Sequence, residues 1–169
     1  MKKRTRKKLL QVIWFLIKFN LLAIPLYVLI FINFSYQPLQ NLVAFLSYKF
    51  LQAFKIQANL NQSSLMVIRG TEIAFIEIDM DCTGWKSLYA LFSLAIATPS
   101  IKWKKKFIFL IFALPSIFLF NIARIVITIY FSLIRPDLFG FVHDFFWQFG
   151  LIFAILASWV LWLRYEKRI

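Results

Sequence analysis

Lys102-Trp103-Lys104-Lys105-Lys106 runs directly into FIFLIFALPSIFLFNIARIVITIYFSL, the stretch from Phe107 to Leu133. A bilayer crossing needs roughly 20 apolar residues, and a basic loop beside one marks its cytoplasmic end. The stretch therefore reads as a spanning helix that starts inside, and its single charge is Arg124. Three further apolar stretches flank it: Leu9 to Phe34, about Cys82 to Thr98, and about His143 to Leu163. With the N-terminus inside, four crossings place Lys2–Lys8, Lys102–Lys106 and Arg164–Arg168 all in the cytoplasm. Charge and span count agree without adjustment.

The composition points the same way. Of 169 residues, 62% are hydrophobic, with 21 Phe and 6 Trp, too apolar for a soluble domain of this size. The net charge of +13 is gathered in clusters at the borders of apolar runs. That is the pattern of cytoplasmic loops and not of a continuous nucleic-acid-binding face, so no nucleic-acid partner is expected. A single cysteine excludes an intrachain disulfide and makes no zinc site, and neither cofactor nor metal is expected. The basic start resembles a signal sequence, but its apolar part is too long and lacks a small-x-small cleavage site, which makes it an uncleaved anchor.

The fold class expected is an all-α polytopic membrane protein with about four transmembrane helices, an external amphipathic helix and a short β-hairpin. The single membrane domain divides into a basic tail (1–8), a first span (9–34), an external segment (35–81), a second span (82–98), a cytoplasmic loop (99–106), a third span (107–133), an external loop (134–142), a fourth span (143–163) and a cytoplasmic tail (164–169). In the external segment, Leu39, Leu42, Val43, Leu46, Phe50 and Phe54 recur at helical spacing from Pro38 to Ile56, predicting an amphipathic helix on the membrane surface. Leu65–Ile68 and Ile73–Ile78 read as two strands turning at Gly70, which deliver the chain to Cys82. Tyr36, Tyr48, Trp159, Trp162 and Tyr165 are expected at the interfaces, while Trp85 and Trp147 are read as packing residues or the lining of a groove.

Chemistry concentrates at one depth. At about 1.5 Å of rise per residue, Cys82 lies roughly 24 Å above Thr98, Arg124 roughly 26 Å above Phe107, and His143 roughly 30 Å above Leu163. In a layer of about 30 Å, all three sit near the outer face. Cys82, in the first turn of its span, is placed where a helix N-terminus favours thiolate. His143 can move protons, and Arg124 can hold an oxyanion or a carboxylate. Asn121, one turn before Arg124, can orient it or donate to the same oxyanion. Bland readings stand beside these: Cys82 as a small packing residue, His143 beside Asp144 as an interfacial cap, Arg124 paired with Asp144 or Asp81. Lys86 either supports the thiolate or pairs with Asp79 or Asp81.

Cys82-Thr83-Gly84, then Asn121-x-x-Arg124, then His143 at the mouth of the last span, resemble the exosortase/archaeosortase family, as does the Gly70 hairpin leading into the cysteine. The resemblance covers roughly residues 65–163. It implies a membrane cysteine transpeptidase at the outer face of the cytoplasmic membrane, acting on exported proteins whose C-terminal signal comprises a short motif, a transmembrane helix and a basic tail. It further implies Cys82 as the nucleophile forming a thioester, His143 as acid and base, Arg124 as transition-state stabiliser, and an amine acceptor that is lipid-derived. Many family members have more spans, and some archaeal ones carry Arg where His143 stands. The rival reading is a non-enzymatic membrane scaffold or assembly subunit that uses Arg124 as a pairing residue. The Gly-x-Ser-Gly and Gly-x-Gly-Asp strings of other intramembrane proteases do not occur.

Overall fold

In a computed structural model, which describes residues 3–69, 72–134, 140 and 149–168, the described chain is mostly helical. Helix α1 runs Lys3–Phe31, α2 Gln37–Ala53, α3 Trp85–Ala97, α4 Trp103–Ile134 and α5 Leu151–Arg168. Two of these are long and apolar enough to cross a membrane, Thr5–Phe31 within α1 and Trp103–Ile134. The second and fourth predicted spans correspond to α3 and α5; α3 has 13 residues, or roughly 20 Å. Pro25 and Pro115 sit inside α1 and α4, and both helices continue through them. His143, Asp144 and Trp147 lie outside the described residues.

The expected hairpin is present and is part of a larger sheet. Strands β1 (Gln57–Asn61), β2 (Ser64–Arg69) and β3 (Glu72–Glu77) form an antiparallel meander in the order β1-β2-β3. Alternation sorts its faces. Leu65 opposes Leu60 and Ile76, and Val67 opposes Ala58 and Ala74, so these residues line one face. Met66 with Phe75, and Ile68 with Ile73, lie on the other, where Phe75 and Ile73 are exposed. The strand missed from sequence is β1, whose Gln-Ala-Asn-Leu-Asn carries only two apolar residues, both inward.

Helix α2 is amphipathic as expected, with Pro38 in its first turn where a missing N–H costs nothing. Its buried stripe is Gln40, Val43, Ala44, Ser47 and Leu51, and this packs on protein. Val43, Ala44 and Leu51 join Leu65, Val67 and Ile78 against Ile122, Ile125, Val126, Ile129 and Leu133 of α4. The C-terminal third of α4 is thus covered by a cap of α2 and the sheet. Leu42, Phe45 and Phe50 stay exposed, giving α2 a second apolar surface besides the one it buries.

Below the cap, α3 packs against α1, α4 and α5. Leu91, Ala113, Ile117, Leu151 and Ile155 form one core, and Ala95, Leu110 and Trp162 another. Trp162 stacks on Phe109 at 4.4 Å, while Trp159 stacks on Phe15 and donates from Nε1 to Thr98 Oγ1 at 3.0 Å. Both tryptophans therefore pack within the bundle. Lys106 is buried, and its Nζ donates to the Ile96 carbonyl at 2.6 Å, near the end of α3, where a cation complements unpaired carbonyls. Lys105 reaches Glu166 of α5 at 2.5 Å. Replacing Lys106 by Met removes a charged hydrogen bond and is expected to lower stability by about 1.5–3 kcal/mol. Thermal unfolding in detergent measures this, and an unchanged midpoint would show that the contact at Ile96 contributes nothing.

Candidate active site

Cys82 stands in a 3-10 turn, Asp81–Thr83, ahead of α3 and outside that helix. The turn closes on itself: Thr83 N–H and Oγ1 both donate to the Met80 carbonyl, at 3.2 and 2.7 Å. Asp79 Oδ1 accepts the Cys82 N–H at 2.8 Å. Gly84 then adopts a left-handed conformation, φ +74°, that joins the turn to α3 and that few side chains tolerate. A second demand falls on the same glycine, since a Cβ there would lie 2.9 Å from Asn121 Cγ. The Cys-Thr-Gly string is therefore a shape as well as a chemistry.

The turn is bound to α4 from below. Asn121 Nδ2 donates to the Cys82 carbonyl at 2.9 Å, which commits one of its two N–H groups to the turn. Asn121 is almost wholly buried, and its Oδ1 has no partner among the described residues. Arg124, one turn further, is buried too and close enough for its charge to act on the Cys82 thiol. Asn121 thus ties the cysteine's own backbone to α4, one turn from Arg124. Lys86 Nζ pairs with Asp81 Oδ1 at 2.7 Å, both partly exposed, which selects one of the two partners foreseen for it. His143 and Asp144 lie outside the described residues.

The thiol does not match the simple expectation of a helix-end thiolate. Burial, a hydrogen bond to the Asp79 carboxylate and that group's charge push Cys82 up to about 12, with Arg124 pulling the other way. At neutral pH the resting group is therefore the protonated thiol, and reaction requires something to take its proton. Asp79 is the residue sequence reading missed. Its place just before the turn lets its carboxylate hold the Cys82 N–H. The signal was there in Asp79-x-x-Cys82, because an aspartate three residues ahead is suited to cap such a turn.

Beside the turn lies a cleft of about 440 Å³, lined in part by Asn33, Ser35, Asp79, Asp81, Trp85 and Lys86. Phe34 meets Trp85 edge-on with ring centroids 6.2 Å apart, and Trp85 Nε1 is buried with no partner among the described residues. The end of α1 thereby forms one wall of an opening next to Asp79. Among the described residues no group of His, Cys, Asp and Glu is arranged to hold a metal.

A family model described as transmembrane exosortase matches residues 5–163, which is most of the chain. The chain belongs to that family. No curated protein and no solved structure matches it.

Gly84→Ala tests the turn. It adds left-handed strain and a clash with Asn121, and it is expected to cost about 1–3 kcal/mol. Thermal unfolding in detergent should show the loss, while an unchanged midpoint would mean the turn is not seated on Asn121 as described.

Proposed function

From membership of this family we propose that the chain is a membrane-embedded cysteine transpeptidase of exported proteins. The observation that carries the reading is the seating of Cys82 on α4 beside a buried guanidinium, next to an open cleft. In this reading the chain crosses the cytoplasmic membrane four times with both termini inside, which places the turn at the external face. An exported protein presents its C-terminal signal, a short motif followed by a transmembrane helix and a basic tail. Cys82 sulfur attacks the carbonyl that precedes the scissile bond, Arg124 compensates the charge developing on oxygen, and a thioester forms. His143 is the acid and base on the side of the departing amine. A lipid-derived amine acceptor then takes the acyl group and gives the protein a new anchor.

The packing of the site suits such work. The cap of α2 and sheet covers the outer part of α4, so Arg124 acts where water is scarce and a fixed charge is more effective. The cleft on the α1 side leaves a route to the turn. Trp85, which lines the cleft, has an Nε1 donor without a partner among the described residues, a group of the kind a bound peptide satisfies.

Cys82→Ala in the native host tests the proposal, with the size and membrane anchorage of exported proteins carrying a C-terminal helix and basic tail as the readout. At least one such protein should keep its tail in the mutant and lose it in the wild type. Unchanged processing of all of them, with the mutant protein stably present, would leave Cys82 as a packing residue and favour a scaffold.

A further inference from the structure

The mechanism leaves one question open on the page: where the Cys82 proton goes. Asp79 Oδ1 already accepts the Cys82 backbone N–H at 2.8 Å, which brings its carboxylate close to the side chain of the same residue. Asp79 is itself exposed and lines the cleft, so it can exchange protons with water while the thiol is largely enclosed. The other charges around the thiol are accounted for. Arg124 acts from α4, and Asp81 is paired with Lys86. The one lysine of α2, Lys49, lies over the rings of Phe45 and Tyr48. Asp79 is thus the carboxylate that both hydrogen-bonds the reacting residue and opens to the cleft.

Resting on the transpeptidase reading, we propose that Asp79 is a catalytic residue, the immediate proton acceptor of the Cys82 thiol. As sulfur attacks, its proton passes to the Asp79 carboxylate, and the sulfur electron pair forms the S–C bond. The scissile C–N bond breaks, and the departing nitrogen takes a proton from His143. In the second half the acceptor amine attacks the thioester and gives its proton to the neutral His143. The S–C bond breaks, and the released thiolate recovers its proton from Asp79. Every proton returns to its origin, and no outside co-reactant is needed beyond the acceptor amine. Arg124 stabilises charge throughout, and Asp79 is the group that makes the thiol available.

A positioning role alone would show itself differently, which gives the experiment its power. Asn in place of Asp79 keeps an oxygen for the Cys82 N–H, so the turn is retained while the negative charge and the basicity are lost. Cys82 is the chain's only cysteine, so iodoacetamide labelling of the full-length protein in detergent reads its thiolate content alone. Because Asp79 holds the thiol's ionisation up, Asp79→Asn should speed alkylation at a fixed pH, about tenfold for each unit by which ionisation becomes easier. The same variant should slow processing in the host by about a hundredfold or more, the usual contribution of a general base. A thiol that becomes more reactive while turnover falls is the predicted signature. Alkylation and processing that fall together would show that Asp79 only supports the turn, and full processing by Asp79→Asn would overturn the proposal outright. If the Asn variant does not accumulate, Asp79→Glu decides. Retained base function predicts partial processing, and complete loss from a stably folded Glu variant contradicts it. Cys82→Ala run alongside separates this outcome from failure of the transpeptidase reading, since in that case both cysteine and aspartate variants would process normally.

Discussion

The hydrogen bond from Asn121 Nδ2 to the Cys82 carbonyl, 2.9 Å long, is the contact on which the remainder of the site depends. It joins two elements far apart in sequence at the level where a thiol and a guanidinium must meet. Gly84 makes it possible, because its missing side chain lets the turn settle onto the amide. At the other end of the same helix pair, Lys106 holds the Ile96 carbonyl. About 15 residues of α4, or roughly 22 Å at 1.5 Å per residue, separate the two clamps. A short α3 plus its 3-10 turn spans the same interval, and this fixes the height of Cys82 along α4.

That height explains how an arginine is tolerated in an apolar helix. Ionised groups in hydrocarbon are costly and are met in the interior of a bundle or beside polar partners. Counting from Lys106, Arg124 lies roughly 27 Å along α4. From there on α4 is covered by α2 and the sheet, whose inward residues Val43, Leu65, Val67 and Ile78 meet Ile122, Ile125 and Ile129. The cap therefore buries apolar surface and shields a charge in one arrangement. The β-hairpin that forms much of the cap is also the segment that delivers Asp79 and Cys82, so packing and site assembly are a single event.

Much of this was legible in the sequence. The apolar run after Lys106 named α4, the alternation around Gly70 named β2 and β3, and the spacing from Leu39 named α2. Depth arithmetic from helix rise brought Cys82 and Arg124 to one level, and the structure seats the Cys82 carbonyl on Asn121, one turn before Arg124. What escaped has physical causes. Strand β1 is nearly all polar and holds its place through pairing with β2, which a residue pattern does not reveal. The apolar periodicity of α2 covers more of the helix than its buried stripe, so it could not say that the helix packs on protein. Trp159 and Trp162 looked like belt residues until Thr98 and Phe109 appeared as their partners. The thiol's resistance to ionisation was hidden because it comes from burial and from Asp79, and neither can be read from a helix N-terminus.

The central claim is that α4 brings a charge to the Cys82 thiol. The most direct test is the rate of iodoacetamide labelling of Cys82 in Arg124→Gln and Arg124→Lys, compared with the wild type at one pH. A guanidinium that favours thiolate predicts roughly tenfold slower labelling in the Gln variant, the effect of about one pKa unit, with the charge-retaining Lys variant closer to wild type. Equal rates in all three folded proteins would mean that Arg124 does not act on the thiol, and the site as described would be wrong.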